Sequence, residues 1–278
     1  MFKNGVKTVV LLAGIGALFL VVGSFFGTGG LVIGLVLGIV FVGGSYWFSD
    51  KLAVRAAGAK PVTEAEAPQL YAIVRDLTSR TGMPMPKIYI SPAAQPNAFA
   101  TGRNPEHAAV AVTQGILQVL DWDELRGVLA HEISHVRNRD ILISSVAAAV
   151  AMGITVLATM ARFAAFFGGG NDRDRENPLA LLAMAIFAPL AAGLMQAALS
   201  RTREFEADHS GKELIGDGEP LARALRKIEA SAKQVPMNID PAHAQAYIIN
   251  PLTGRQMQFA NLFRSHPPTE ERIRRLVG

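Results

Sequence analysis

His131-Glu132-Ile133-Ser134-His135 combines residue types and a spacing that can do metal chemistry. Residues four apart on a helix lie ~40° apart in projection and ~6 Å apart along the axis. Two imidazoles so placed can converge on one ion at ~2.0–2.1 Å from each nitrogen. Glu132, one step round the helix from His131, can reach a metal-bound water without ligating the metal. Zinc would lower that water's pKa toward ~7, and Glu132 could take its proton and pass it to a leaving amine. By chance this five-residue pattern arises in roughly one chain of this length in a few hundred. The flanking Val128, Leu129 and Ile133 supply a buried helix face for it.

An open zinc site needs a third protein ligand and a vacant fourth position. A third histidine in H-E-x-x-H-x-x-G-x-x-H is excluded, because Asn138 and Ile141 occupy those glycine and histidine positions. Arg203-Glu204-Phe205-Glu206-Ala207-Asp208-His209 offers three carboxylates and a histidine instead. Glu204 and Asp208 share a helix face at i and i+4, and Glu206 points elsewhere. Glu204 is therefore the expected third ligand, with Asp208 behind it orienting an imidazole. Arg203 could neutralise a nearby carboxylate. His107, His209 and His243 read as surface residues.

The elements that must position these groups include membrane helices. Half of the 278 residues are hydrophobic, only 18% are charged, and mean hydropathy is positive. Lipid is then expected as part of the solvent. The absence of cysteine excludes disulfides, thiolate metal sites and a cysteine nucleophile. The net charge of +4, with no basic run interleaved with aromatics, gives no support to nucleic-acid binding.

Uncharged runs at 9–26 and 30–48 are each long enough to span ~30 Å of hydrocarbon, with a turn around Thr28 and Gly29. Gly30, Gly34 and Gly38, four apart, would give the second helix a smooth packing side. Further apolar runs cover 141–161 and 178–198, separated by a polar loop at 168–177. If these last two form an antiparallel hairpin, Glu204 returns to the same height as His135, ~9 Å above the membrane face. Lys3 and Lys7 precede the first span, no Lys or Arg separates spans one and two, and Lys51, Arg55 and Lys60 follow. Arg137, Arg139, Arg201 and Arg203 flank the later pair, so both termini and the site are expected in the cytoplasm.

The polar segments predict a helix over 63–80, strands at 87–91 and 108–113, and an extended stretch at 97–102. Asp121 and Glu124 predict a capping box that starts the helix carrying His131. The expected fold is mainly α: about four transmembrane helices and a small α+β gluzincin-like zinc protease domain. Residues 1–50 would form the first membrane hairpin and 141–200 the second. Residues 51–140 and 201–278 would be the two segments of the catalytic domain.

H-E-I-S-H, two apolar runs, then S-R-T-R-E-F-E-A-D resembles the HtpX branch of membrane zinc endopeptidases, with the CAAX prenyl endopeptidases as distant relatives. The resemblance covers nearly the whole chain, including the opening hairpin, Asn97-Ala98-Phe99 and His266-Pro267-Pro268. It implies one Zn2+ per subunit held by His131, His135 and Glu204, with Asp208 in support. It also implies an edge strand at Asn97, Ala98 and Phe99 that binds extended substrate, and an approach of His266 to the oxyanion. Its implied partners are protein or peptide substrates, damaged or misassembled membrane proteins above all, beside the lipid bilayer of a multi-pass cell-membrane enzyme. Two other readings stay open: a quality-control scaffold around a structural zinc, closed by His209 or His266, and a metal hydrolase acting on something other than peptides. The sequence names no oligomeric state.

Overall fold

A computed structural model describes residues 2–24, 27–142, 201–234 and 267–278. The apolar runs at 141–161 (beyond its first two residues) and 178–198, the loop at 168–177, His243 and His266 lie outside them. The opening hairpin is α1 (Phe2–Ser24) and α2 (Gly27–Trp47). Gly27, with φ at 73°, starts α2, so Thr28 and Gly29 lie in its first turn rather than in the connection expected there. The two helices touch through glycine. A Cβ on Gly34 would collide with the Phe19 carbonyl, and one on Gly23 with the Gly30 carbonyl. Gly38 faces Phe19 as well, so the smooth side read from the four-residue spacing is a packing face. The outer faces of α2 leave Val32, Ile33, Val36, Ile39 and Val40 exposed.

A short helix, α3 (Ser49–Ala56), leads from α2 into the polar part of the chain. There β1 (Lys60–Pro61), β2 (Lys87–Ser91), β3 (Ala98–Gly102) and β4 (Ala108–Thr113) form one sheet. Its order is β1-β2-β4-β3, with β2 and β4 parallel and the outer pairs antiparallel. β4 is central and buried along its whole length, which explains its unbroken run of small and β-branched residues. β3 lies at an edge.

Helix α4 (Pro68–Thr81) begins five residues later than the pattern predicts. Ala67 precedes a proline and is held at φ −141°, ψ 60°, outside the helical region, so the helix cannot run through it. Leu70, Val74 and Leu77 are buried as expected. After α5 (Gln114–Val119), the capping box forms: Glu124 N–H donates to Asp121 at 2.9 Å, and Asp121 N–H to Glu124 at 3.0 Å. It starts α6 (Trp122–Arg137), the core helix. Helices α7 (Arg201–Ile215), α8 (Glu219–Gln234) and α9 (Thr269–Val277) complete the described elements.

Packing onto α6 decides where the later chain sits. Gly211 of α7 lies so close that a Cβ there would come within 3.1 Å of the His131 backbone nitrogen. On the other side, Lys227 of α8 reaches the buried carboxylate of Glu124 at 2.6 Å. Val128, Leu129 and Ile133 of α6 join Leu225, Ile228 and Leu276 in one core with Leu70, Leu77 and Ile88.

Candidate metal centre and active site

Two turns of α6 and the first turn of α7 converge on one point. The Nε2 atoms of His131 and His135 are 3.2 Å apart. Glu204 presents Oε2 at 3.6 Å from His131 Nε2 and Oε1 at 3.6 Å from His135 Nε2. Ligand atoms held ~2.0–2.1 Å from one tetrahedral ion would be spaced by roughly 3.3 Å, so the observed spread fits zinc. The structure thus brings together the three residues expected from the sequence as ligands.

The outer ring nitrogens are also occupied. His131 Nδ1 donates to Asp208 Oδ1 at 2.9 Å, and His135 Nδ1 faces Asp140 Oδ2 at 3.4 Å. Each contact fixes a tautomer that leaves the Nε2 lone pair pointing inward. Asp208 stands where the i, i+4 spacing places it. Asp140 was not read from the sequence. It reaches His135 because Arg139 adopts φ 59° and folds the chain back, with Asp140 N–H donating to the His135 carbonyl at 3.0 Å. A left-handed non-glycine residue costs ~1–2 kcal/mol, and here that strain positions a carboxylate.

Arg272 is the second residue the sequence reading missed. It is 1% exposed and grips Asp208 through both oxygens, at 2.8 and 2.6 Å. The chain thus runs from a guanidinium through a carboxylate to a ring nitrogen, all buried. Burial would raise the Asp208 pKa, but Arg272, and then His131, hold it well below the usual carboxylate range. A faint signal existed: Arg272 adjoins Ile273 and, with Leu276, lies on the apolar side of a short amphipathic helix.

Charge balance gives independent support for a cation. Four buried carboxyl groups, those of Glu132, Asp140, Glu204 and Asp208, stand beside only two buried guanidiniums, those of Arg203 and Arg272. Burial pushes the His135 pKa down, yet Asp140, Glu204 and Glu132 together raise it to about 9. A divalent ion between the imidazoles would supply the positive charge these groups demand. Arg203 sits among them as expected, acted on by Asp140, Glu204 and Glu206, but burial dominates and lowers its pKa. Its Nη1 is buried and lacks a hydrogen-bond partner among the described residues.

Glu132 occupies the side of this point that faces the sheet. Its Oε2 accepts the Ala100 backbone N–H at 3.0 Å. Thr113 N–H donates to the Asn97 carbonyl at 2.9 Å, which makes these two a bonded pair of the antiparallel ladder. By alternation Phe99 and Thr101 bond inward, and the backbone groups of Ala98 and Ala100 face the outer edge. The Asn97-Ala98-Phe99 stretch therefore opens the edge strand beside the candidate base. The Asn97 and Ala98 side chains are themselves buried. His209 faces solvent on α7, 3.3 Å from Glu213, and is not at the centre. Glu206 is exposed, as expected, and exposed His107 bonds Asn104 at 2.8 Å in the turn before β4.

Known proteins resemble this chain in sequence and in fold. The Peptidase family M48 model matches residues 64–278. A protease HtpX homolog of Syntrophobacter fumaroxidans is 50% identical over 276 residues, covering 97% of each chain. A protease HtpX homolog of Burkholderia mallei is 51% identical over 279 residues, covering 99% of this chain and 96% of that one. In fold, the crystal structure of S. mikatae Ste24p is similar at a TM-score of 0.53 and 22% identity. That match covers 99% of this chain and 66% of Ste24p.

Proposed function

Since the chain belongs to peptidase family M48 and is a metalloendopeptidase, we propose that it is a zinc enzyme of the cell membrane that cuts membrane or misfolded proteins at the cytoplasmic face. One observation carries the chemistry: His131, His135 and Glu204 bring ligand atoms within 4.8 Å of one another, with Glu132 adjacent but outside the set. Three protein donors of this kind are the pattern of a catalytic rather than a closed zinc site.

Zinc, when bound, acts as the Lewis acid that polarises the scissile carbonyl and acidifies a water. The chain's own residues do the rest. Asp208 and Asp140 orient the two imidazoles, and Arg272 keeps Asp208 charged and still. Glu132 takes the water's proton and returns it to the leaving nitrogen, its carboxylate aimed by the Ala100 N–H. The outer edge of β3 receives the substrate as an added strand, whose backbone bonds are indifferent to sequence. His266 is assigned to the oxyanion by family resemblance alone. Residues 51–140 and 201–278 together make up the catalytic domain.

Membrane placement rests on α2, whose 21 residues reach about 31 Å as a helix with apolar side chains outward. Among the described residues it is the one helix long and apolar enough to cross. Basic residues on either side of the hairpin's polar ends favour cytoplasmic termini and a cytoplasmic site.

The test is Glu132→Gln, purified with metal retained and compared with wild type on an unfolded membrane protein. Cleavage should fall by about 10²–10⁴-fold while zinc content stays the same. Undiminished proteolysis by the zinc-loaded variant would sink the assignment. The scaffold alternative needs a fourth protein ligand, and His209, one of its two candidates, is turned to solvent.

A further inference from the structure

The edge strand that meets Glu132 is fastened at its other end to the point where α2 leaves the apolar zone. Trp47 closes α2 and Phe48 follows, 58% and 52% exposed. The Arg103 guanidinium lies 4.6 Å over the Trp47 ring, and its Nη1 donates to the Trp47 carbonyl at 3.3 Å. Lys51 Nζ stands 5.5 Å from the Phe48 ring centre. Aromatic rings paired with cations at the end of an apolar helix belong at the headgroup level of a bilayer. Thr101 Oγ1 adds a contact with the Ser49 carbonyl at 3.4 Å. Thus the last residues of β3 and the one after it are bound to the membrane exit itself, with no linker between.

Ala100, whose N–H holds the Glu132 carboxylate, lies on β3 three residues before Arg103, which directly follows the strand. An extended chain rises ~3.3 Å per residue, so Ala100 stands at most about 10 Å from Arg103, which lies over the Trp47 ring. The headgroup region on one side of a bilayer is itself only ~5–7 Å deep. A peptide added along the outer edge of β3 crosses that gap in about three residues.

We propose that β3 is a ruler: the enzyme cuts membrane-anchored chains about three to six residues from the end of their own transmembrane span. This deepens, and rests on, the reading of the chain as a membrane zinc endopeptidase. The substrate class is a juxtamembrane segment in extended form, selected by its distance from the bilayer rather than by side chains. A bond much farther out gains nothing from the anchor.

The experiment uses the zinc-loaded full chain in liposomes with a single-span substrate carrying a uniform Gly-Ser-Ala repeat, the span placed at either end of the repeat. Cut sites are mapped by mass spectrometry, and two or four residues are then inserted between span and repeat. The expected cuts cluster within about three to six residues of the span and keep that distance after insertion. Trp47→Ala combined with Arg103→Ala should broaden the cluster and leave cleavage of the soluble repeat peptide unchanged. Cuts scattered evenly along the repeat, cuts that move with the insertion, or equal cleavage of membrane-anchored and soluble repeat would overturn the ruler while leaving the protease reading intact. Absence of any Glu132-dependent cleavage would overturn both.

Discussion

Arg272 shows how much of a metal site can depend on a side chain that touches no metal. Its two bonds to Asp208 are buried, and Asp208 in turn fixes the His131 ring. Removing such a support typically costs 10–100-fold in metal affinity. Arg272→Met would also leave the buried Asp208 charged without its guanidinium partner, a loss of up to about 3–5 kcal/mol. We expect weaker zinc retention against a chelator and a lower melting temperature, with stability partly recovered in Arg272→Met/Asp208→Asn. Full zinc retention by the single variant would show that the clamp does not govern the ligand. The same pair sets a pH dependence. The Asp208 carboxyl is held below its unfolded value of ~3.9, so its contribution is complete above that pH and disappears as pH falls through the depressed folded value. Without Arg272 the depression shrinks, so acid unfolding of metal-free Arg272→Met should begin at a higher pH than that of metal-free wild type. Circular dichroism during acid titration measures the shift.

Among the elements, the contact between α6 and α7 converts two unrelated stretches into one ligand set. Gly211 permits it, because any Cβ there would press on the backbone at His131. Gly211→Ala should push the helices apart by a few tenths of an ångström and draw Glu204 away from the two Nε2 atoms. The expected outcome is a measurable loss of zinc affinity with helix content unchanged. Unchanged affinity would mean that the interface yields without moving Glu204. Local reading recovered the elements themselves well. β2 and β4 fall where alternation and β-branched residues place them, and α6 starts at its capping box. The start of α4 was missed because the residue before Pro68 is constrained by the next residue's ring, which a periodic pattern does not weigh.

For the whole molecule, the exposed apolar faces of α2 and the glycine seam against α1 suit a hairpin set in lipid, as proposed. The protein should therefore stay with membranes through an alkaline carbonate wash and need detergent for release. Recovery in the aqueous wash would contradict the hairpin's assignment. The bonds from Thr101 and Arg103 to Ser49 and Trp47 tie the strand at the active site to the end of α2, and the ruler depends on that tie.

The sequence by itself offered the candidate ligand pair of histidines, the candidate base between them, a glycine-spaced side on the second helix and the carboxylate pair on α7. Each is a matter of helical period, where four residues suffice to place two side chains on one face. Tertiary structure alone decided that Asp140 turns back onto His135, that Arg272 closes on Asp208 from a helix 64 residues away, and that Ala100 offers its N–H to Glu132. Those contacts depend on a strained turn, on the docking of α9 and on which edge of β3 stays unpaired by β4. No local pattern encodes them, because the partners meet only after the core around α6 has assembled.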